Sequence, residues 1–307
     1  SRDGASLYEH CRLAIERGIT SGPHGLPLMG TGDWNDGMNR VGVEGQGESV
    51  WLSWFLVDVL KQFAELTELA GKPLETAAQY TEKAKLISAA IEKSAWDGDW
   101  YQRAWFDDGT SLGSSESAEA RIDSLPQSWS VLSGAADLKR AARALESAYA
   151  HLVLRDENMV LLFTPPFDSS AMDPGYIKAY PPGVRENGGQ YTHGALWLAM
   201  AFARIGDGDR SAAILKMLNP IEHAREPGAV DQYAVEPYVV AADVYRLPGR
   251  IGQGGWTWST GAAGWMYRAW IEEVLGLKVR GGKMIIDPVL PSGWDRASIR
   301  YRHGKTV

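Results

Sequence analysis

Residues 48–96 read ESVWLSWFLVDVLKQFAELTELAGKPLETAAQYTEKAKLISAAIEKSAW, and this stretch indicates the fold class. From Glu48 to Ala70 the apolar residues recur at helical spacing, and Gly71 and Pro73 then interrupt the pattern as a C-terminal cap does. A second, alanine-rich helical pattern runs from Leu74 to about Trp96. Two long amphipathic helices joined by a short turn predict an antiparallel pair, which is a building unit of all-α folds.

Helical patterns continue through most of the chain. They cover residues 6–18, 124–134, 137–149, 190–205, 210–218 and 256–275. Together they make about eight helices, mostly in pairs and with long loops between the pairs. This pattern favours an incomplete α/α toroid whose long loops line one mouth. A solenoid is less favoured, because no repeat of about 34 or 40 residues is visible.

After Gly276 the sequence changes to strand-like alternation. Residues 277–286 predict a β-hairpin, and residues 297–302 predict one further strand. We therefore divide the chain into a partial helical barrel, residues 1–276, and a short C-terminal β segment, residues 277–307, in which a sheet begins and is cut short.

Composition and charge exclude several classes of function. The 307 residues carry a net charge of −7, which opposes binding to nucleic acid or to an anionic membrane surface. No apolar run approaches the roughly 18 residues of a membrane-spanning helix, and no signal peptide is visible. A single cysteine excludes an internal disulfide and a cysteine-based zinc site. We expect a cytoplasmic protein, or the cytoplasmic part of a larger one, that uses neither a metal nor a cofactor.

The aromatic residues are biased towards two types. Thirteen Trp and twelve Tyr accompany only six Phe. Trp and Tyr combine a flat apolar face with a polar group, which suits the C–H faces and hydroxyl groups of sugar rings. Helical enzymes also bury Trp in their cores, so the bias favours a carbohydrate ligand without establishing one.

Residues 30–40, GTGDWNDGMNR, form the polar loop that precedes the long helix pair. The loop concentrates two carboxylates, two amides, an indole and three glycines, and its pattern is neither helical nor strand-like. Polar loops held by a rigid scaffold are common sites of binding and catalysis. The alternative is an elaborate turn whose Asp and Asn side chains cap the next helix.

Three ordered motifs together resemble one enzyme family. They are GDWNDGMN (32–39), GVRENGGQYTH (183–193) and WSTGAAGWMY (258–267). They resemble glycoside hydrolase family 94, which holds the inverting glycoside phosphorylases and the C-terminal region of cyclic β-1,2-glucan synthase. The further stretches PPFD (165–168), DPGYIK (173–178) and YPPG (180–183) look most like the β-1,2-glucan branch. The resemblance implies an (α/α)6 barrel flanked by β-sandwiches, so that residues 277–307 would begin a truncated sandwich.

The resemblance also implies the catalytic acid. The second carboxylate of Asp-Trp-Asn-Asp, Asp36, would donate a proton to the glycosidic oxygen, and Asp33 and Trp34 would favour its protonated form. Phosphate is itself an anionic nucleophile, so one proton donor suffices, whereas a hydrolase needs a second carboxylate. The substrate-binding residues implied by the motifs are Asp33, Trp34, Asn35, Tyr176, Arg185 and Glu186. Arg185 and Glu186 could instead form an ordinary surface ion pair.

The same family match implies a phosphate site. It assigns phosphate contacts to His193, Thr260 and the backbone of Gly261, with inorganic phosphate as co-substrate. Thr260 and Gly261 at the start of a helix would offer free N–H groups and a favourable dipole. The alternative for His193 is an ordinary helix residue.

Two departures from the family pattern matter. Cellobiose-type members carry a phosphate-binding Gln after a Glu-Pro-Tyr-Val motif, whereas here Glu236-Pro237-Tyr238-Val239 is followed by Val-Ala-Ala-Asp. Family members also have several hundred residues before Asp-Trp-Asn-Asp, including an Arg/Asp pair that grips the non-reducing sugar. We therefore expect a fragment of a larger protein, whose exposed helix faces would be covered by self-association or by the upstream part.

Three functions stay open at this point. The first is phosphorolysis of a β-linked glucan, most consistent with β-1,2 linkages, which gives α-glucose 1-phosphate. The second is a β-glucoside hydrolase in which Asp36 works with Asp33, Glu186 or Glu236. The third is a fragment that binds carbohydrate without catalysis.

Overall fold

The helix pair predicted from residues 48–96 is present. The computed structural model describes residues 4–258 and 260–302, so Ser259 of the third motif and residues 303–307 of the predicted β segment lie outside the described residues. Ser49 caps the first helix of the pair by accepting a hydrogen bond from the Leu52 N–H at 3.0 Å. The turn at Gly71 then reverses the chain into the second helix, as the Gly–Pro signal predicted.

Ten α-helices occur within the described residues. They are α1 Leu7–Gly18, α2 Val50–Leu69, α3 Leu74–Ser94, α4 Ser124–Leu132, α5 Leu138–Leu152, α6 Thr192–Arg204, α7 Gly208–Met217, α8 Pro220–His223, α9 Pro227–Tyr233 and α10 Ala262–Arg268. The last helix continues as a π-helical segment, Ala269–Val274. Two 3₁₀ turns, Asp36–Met38 and Tyr176–Ala179, lie in the loops.

Short antiparallel strands fasten the loops to one another. They are β1 Glu48–Ser49, β2 Ala104–Trp105, β3 Ser111–Leu112, β4 Ile122–Asp123, β5 Val153–Leu154, β6 Met159–Val160, β7 Phe163–Thr164, β8 Gln190–Tyr191, β9 Asp243–Val244, β10 Leu277–Arg280 and β11 Lys283–Ile286. Their order is β1-β2-β3 in one sheet, and β4-β7, β5-β6, β8-β9 and β10-β11 in four pairs. β1, β4 and β8 lead directly into α2, α4 and α6, so the loop strands lie at the N-terminal ends of these helices.

The helices form two rows, as a toroid-type fold requires. Helices α2, α4, α6 and α10 contact one another in series, and α3, α5 and α7 each pack on the helix that precedes them. Helix α6 lies deepest, with Gly194–Ala203 buried continuously. The predicted all-α class and α/α arrangement are therefore confirmed.

One Trp from each helix of the inner row contributes to a tryptophan cluster. Trp51, Trp129, Trp197 and Trp265 follow one another at centroid distances of 6.2, 5.2 and 5.7 Å. Trp51, Trp129 and Trp197 are at most 6% exposed. Much of the Trp bias in the composition therefore serves core packing, the alternative to sugar binding that the sequence left open.

Three sequence predictions about secondary structure were wrong. The last helix begins at Ala262 rather than Trp256, because the Trp256 backbone instead pairs with Ala242 and with the Asp243 carboxylate. Residues 297–302 form no strand, since no partner strand lies beside them among the described residues. The short helices α8 and α9, each with proline in its first turn, were not predicted. The hairpin predicted from residues 277–286 is present.

Apolar side chains remain exposed on several helices. They include Leu13 (51%), Leu66 (45%), Leu69 (85%) and Leu86 (58%). No helix among the described residues has the length and apolarity to cross a membrane.

Candidate active site

The Asp-Trp-Asn-Asp loop is held by hydrogen bonds of its own side chains. The Asp33 carboxylate accepts the Asn35 N–H at 2.9 Å, and the Asn35 amide oxygen accepts the Gly37 N–H at 3.2 Å. These two turns start the 3₁₀ segment Asp36–Met38, in which Gly37 and Met38 are buried while Asp36 is exposed. The loop is thus both the elaborate turn and the platform that presents one free carboxylate.

Asp33 does not line open space. Its carboxylate has no exposed surface and receives both terminal nitrogens of Arg103 at 2.7 Å, together with the Ser49 hydroxyl. A carboxylate enclosed in this way has no face for a sugar. In this geometry Asp33 holds the loop in place through the Asn35 N–H instead of contacting a sugar. Its charge is balanced by the Arg103 guanidinium.

The loop that carries Tyr176 lies against the Asp36 loop. Asp36 is near enough to Tyr176 for its charge to act on the Tyr176 hydroxyl: burial, and then this carboxylate, raise the pKa of Tyr176 to about 12. The Tyr176 N–H also donates to the Asn39 amide oxygen at 3.1 Å. Gly175 has φ +116°, and a Cβ there would meet the Asn39 side chain and backbone, so only glycine permits this approach. The structure therefore brings Tyr176 to Asp36, although 140 positions separate them.

Arg185 and Glu186 lie at the tip of a tight loop. Arg185 has φ +51°, its guanidinium lies 5.1 Å from the ring centroid of Tyr180, and its Nε is 3.5 Å from Glu186. Glu186 is 8% exposed, so the pair is not the ordinary surface contact that the sequence allowed. Burial raises the pKa of Glu186, and the charges of Asp243 and Asp36 add to the effect. Glu186 therefore lies within electrostatic range of Asp36.

His193 lies on the tryptophan cluster. Its ring is 4.3 Å from Trp197, 5.6 Å from Trp34 and 5.5 Å from Trp265. Burial among these rings lowers the pKa of His193 to about 4, so the imidazole is neutral at pH 7. Trp34, tilted at 5.7 Å from Trp197, connects the Asp36 loop to the same cluster.

Thr260 and Gly261 precede α10, as predicted. The Thr260 hydroxyl accepts the Ala262 N–H at 3.1 Å, and Gly261 is the exposed cap residue of α10. Gly261 accepts the N–H of Trp265, whose ring stacks on His193. The structure thus places His193 and Gly261 beside the Trp265 indole, with Thr260 next to Gly261 in the chain.

Buried polar atoms without a hydrogen-bond partner converge on this region. They are Asn35 Nδ2, His193 Nε2, Trp197 Nε1 and Asp243 Oδ2, while Arg185 Nε and Glu186 Oε2 have only each other, as an ion pair at 3.5 Å. An unpaired buried polar group costs about 1–3 kcal/mol, so a hydroxyl-rich or oxyanionic ligand that bonds to these atoms would be stabilised.

A family model described as "Glycosyl hydrolase 94 superfamily, catalytic domain" matches residues 1–276. The chain belongs to glycosyl hydrolase family 94. Over 302 residues it is 50% identical to cyclic beta-(1,2)-glucan synthase NdvB of Rhizobium meliloti (strain 1021), covering 98% of this chain and 11% of that protein. It is 32% identical to solabiose phosphorylase of Paenibacillus borealis, covering 96% and 38%.

Two further proteins are similar to this chain. A 1,2-beta-oligoglucan phosphorylase of Listeria innocua is 25% identical over 96% of this chain and 29% of that protein. The crystal structure of a GH78 family rhamnosidase of Bacillus sp. GL1 superposes with a TM-score of 0.54 at 14% identity, over 89% of this chain and 24% of that one. The second likeness shows a shared fold alone. The chain spans well under half the length of each of these relatives.

Sequence reasoning missed three residues that shape this family 94 site. Arg103 holds Asp33, and Asn187 bonds the Arg185–Glu186 loop to Phe167. Asp243 is 1% exposed and accepts the Trp256 N–H at 2.8 Å. A lone Arg within the aromatic run from residue 100 to residue 106 was a usable signal, because a cation there needs a buried anion.

We expect the depressed pKa of His193 to appear in the pH dependence of stability. Between pH 6.5, the ordinary pKa of histidine, and about pH 4, the pKa of folded His193, the imidazole is protonated in the unfolded chain but neutral in the folded one. The free energy of unfolding is therefore unaffected by this group above pH 6.5. It decreases as the pH falls towards 4, by at most about 3 kcal/mol. Urea titrations of the wild type and His193→Gln at pH 7, 6, 5 and 4.5 measure the difference. Parallel pH profiles would contradict a neutral, buried imidazole.

Proposed function

We propose that this chain is part of the catalytic region of an inverting glycoside phosphorylase that acts on β-1,2-linked glucans. Asp36 would give its proton to the glycosidic oxygen while a phosphate oxygen attacks the anomeric carbon from the opposite face. The C–O bond to the remaining glucan breaks, a C–O bond to phosphate forms, and the products are α-glucose 1-phosphate and a glucan one unit shorter. No cofactor takes part, because phosphate is the co-substrate.

One observation carries the proposal. The exposed carboxylate of Asp36 lies within electrostatic range of Tyr176 and Glu186. Its loop packs on His193 through Trp34, and Asn35 and His193 each bury a polar atom that has no hydrogen-bond partner. A neutral His193 can serve phosphate as a hydrogen-bond partner without supplying charge. Arg185 is the cation nearest to Glu186 and Asp243, and it supports binding of an anion or of the sugar acceptor.

The relatives support the substrate class. The name of the 50% identical protein includes cyclic beta-(1,2)-glucan, and that of the Listeria protein includes 1,2-beta-oligoglucan. Solabiose phosphorylase shows that family 94 also serves other substrates. The β-1,2 linkage is therefore the specific part of the proposal, and action on β-glucosides is the general part.

Hydrolysis is the second candidate, and one observation favours it. Glu186 is 8% exposed, and its Oε2 lies 3.5 Å from Arg185 Nε. Burial, with the charges of Asp243 and Asp36, raises the pKa of Glu186, so this carboxylate could activate a water molecule. Asp33, an alternative partner in the sequence-based hypothesis, is enclosed by Arg103 and cannot do so. A fragment that binds carbohydrate without catalysis remains the third candidate.

Phosphate dependence separates these candidates. We expect the chain, incubated with β-1,2-glucooligosaccharides, to release α-glucose 1-phosphate only when inorganic phosphate is present. Cellobiose and laminaribiose, assayed alongside, test the linkage. Equal sugar release without phosphate would identify a hydrolase, and binding without release in either condition would identify a non-catalytic fragment.

Two further predictions stay proposals. We propose that the exposed leucines of α1, α2 and α3 are covered by self-association or by the further sequence that the longer relatives possess. We also keep the cytoplasmic location as a proposal.

A further inference from the structure

A fully buried guanidinium lies directly beneath the Asp36 loop. Arg103 is 1% exposed, and burying a charge is costly unless it is paired and hydrogen-bonded. Both terminal nitrogens reach Asp33 at 2.7 Å, Nη1 also lies 3.3 Å from the Ser49 hydroxyl, and Nε lies 3.2 Å from Asp123. The fork therefore spans two buried carboxylates that come from different parts of the chain.

Two of the three partners of Arg103, Ser49 and Asp123, are the cap residues of inner helices. Ser49 caps α2 through the Leu52 N–H, and Asp123 caps α4 by accepting the Leu125 N–H at 2.8 Å. Asp33 belongs instead to the loop, where it accepts the Asn35 N–H. Arg103 thus connects the loop to the N-terminal ends of α2 and α4, which are the rigid parts of the scaffold.

The backbone of Arg103 is fixed before its side chain acts. Its N–H donates to the Leu112 carbonyl at 2.8 Å, and its carbonyl accepts the Val50 N–H at 3.1 Å. Gly113 lies against it so closely that a Cβ there would meet the Arg103 N at 2.5 Å. The guanidinium therefore starts from a defined position and loses little freedom when it binds Asp33.

We propose that Arg103 is a positioning residue that sets the place and orientation of Asp36 through Asp33. The inference rests on the proposed function, in which Asp36 is the proton donor. Asp33 fixes the Asn35 backbone, and Asp36 follows directly in the 3₁₀ turn, so a shift of Asp33 moves the acid. A misplacement of about 1 Å can cost on the order of 10²-fold in rate. Only a planar fork serves Asp33 and Asp123 together, and a lysine cannot replace it.

The test compares two changes in the network with one matched control. Arg103→Lys keeps the charge and removes the fork, and Asp33→Asn keeps the shape and removes the charge of the partner. Arg204→Lys is the control, because Arg204 pairs with the buried Glu273 at 2.9 Å at the far end of α6. Arg204 lies 11 residues, about 16 Å along the helix, from His193. The control makes the same Arg→Lys change in a more exposed ion pair, with the Arg204 side chain 38% exposed, away from the Asp36 loop.

Two readouts distinguish positioning from general stability. Hydrogen exchange followed by mass spectrometry reports the protection of amides in residues 30–41 and, separately, in α2 and α6. Initial rates of phosphorolysis give kcat and the KM values for glucan and phosphate. We expect loop exchange to rise at least about tenfold in Arg103→Lys and Asp33→Asn with α2 and α6 unchanged. We expect kcat to fall by 10- to 100-fold with both KM values within about threefold.

Two outcomes overturn the inference. Loop protection that is unchanged in a folded Arg103→Lys shows that Arg103 does not hold the loop. A uniform rise in exchange across all peptides, matched by Arg204→Lys, shows a purely structural role. If Arg103→Lys does not fold, Asp33→Asn decides by the same criteria. If the wild type shows no phosphorolysis, the proposed function fails, while the exchange data still decide whether Arg103 positions the loop.

Discussion

Replacing Asp36 with asparagine is expected to lower kcat for phosphorolysis by 10²- to 10⁴-fold, the range that a general acid contributes. The amide has the shape of the acid but no acidic proton to give to the glycosidic oxygen. The fold should be unaffected, because Asp36 is exposed and makes no buried ion pair. Initial rates with β-1,2-glucooligosaccharides and phosphate measure the loss, with KM for phosphate unchanged.

A leaving group that needs no proton sharpens this test. In a dinitrophenyl β-glucoside the leaving group, dinitrophenolate, departs as a stable anion. Asp36→Asn should therefore react with this substrate at close to the wild-type rate. Asp99→Asn is the matched control, since Asp99 is an exposed carboxylate paired with Arg143 on the surface at 2.8 Å. An Asp36→Asn enzyme that keeps its rate on the glucan would assign the proton transfer to another residue.

The parts of the fold that were predictable are those with local causes. The α2–α3 pair follows from apolar periodicity and the Gly71–Pro73 turn, and the helical pattern over residues 137–149 gives α5, which Asp137 caps through the Lys139 N–H. The hairpin at residues 277–286 likewise depends on neighbours within ten residues. Such features are decided by the chain within a few residues, so the sequence displays their causes directly.

The features that were not predictable have distant partners. The role of Asp33 depends on Arg103, which is 70 residues further along the chain. No local sequence pattern indicates that these two residues are in contact. Trp256 lies in a helical sequence pattern, but its N–H donates to the Asp243 carboxylate and its carbonyl accepts the Ala242 N–H, so no helix forms there. The site residues were predicted singly, by resemblance, whereas the position of His193 against Trp197 and Trp265 follows from the packing of α10 on α6.

Replacing Asn187 with alanine is expected to destabilise the protein by about 3–5 kcal/mol. Asn187 has no exposed surface and makes three hydrogen bonds with loop backbone, from the Phe167 N–H at 2.7 Å and to the carbonyls of Phe167 and Tyr180 at 2.9 and 2.8 Å. Alanine leaves all three groups buried and unpaired, and each costs about 1–3 kcal/mol. Water that enters the cavity bonds to some of these groups and recovers part of the cost. The expected total therefore lies in the lower half of the range that the three costs give together.

The location of Asn187 makes the change a test of the site as well. It holds the loop that presents Arg185 and Glu186, so the variant should also lose affinity for the glucan before it unfolds. Asn219→Ala is the matched control, because Asn219 only caps the short helix α8 through the Ile221 N–H at 3.0 Å. A lost cap costs about 1 kcal/mol. Urea titration followed by circular dichroism compares the two variants. Equal losses of unfolding free energy in the two variants would mean that the loop carrying Arg185 is held by something other than the Asn187 amide.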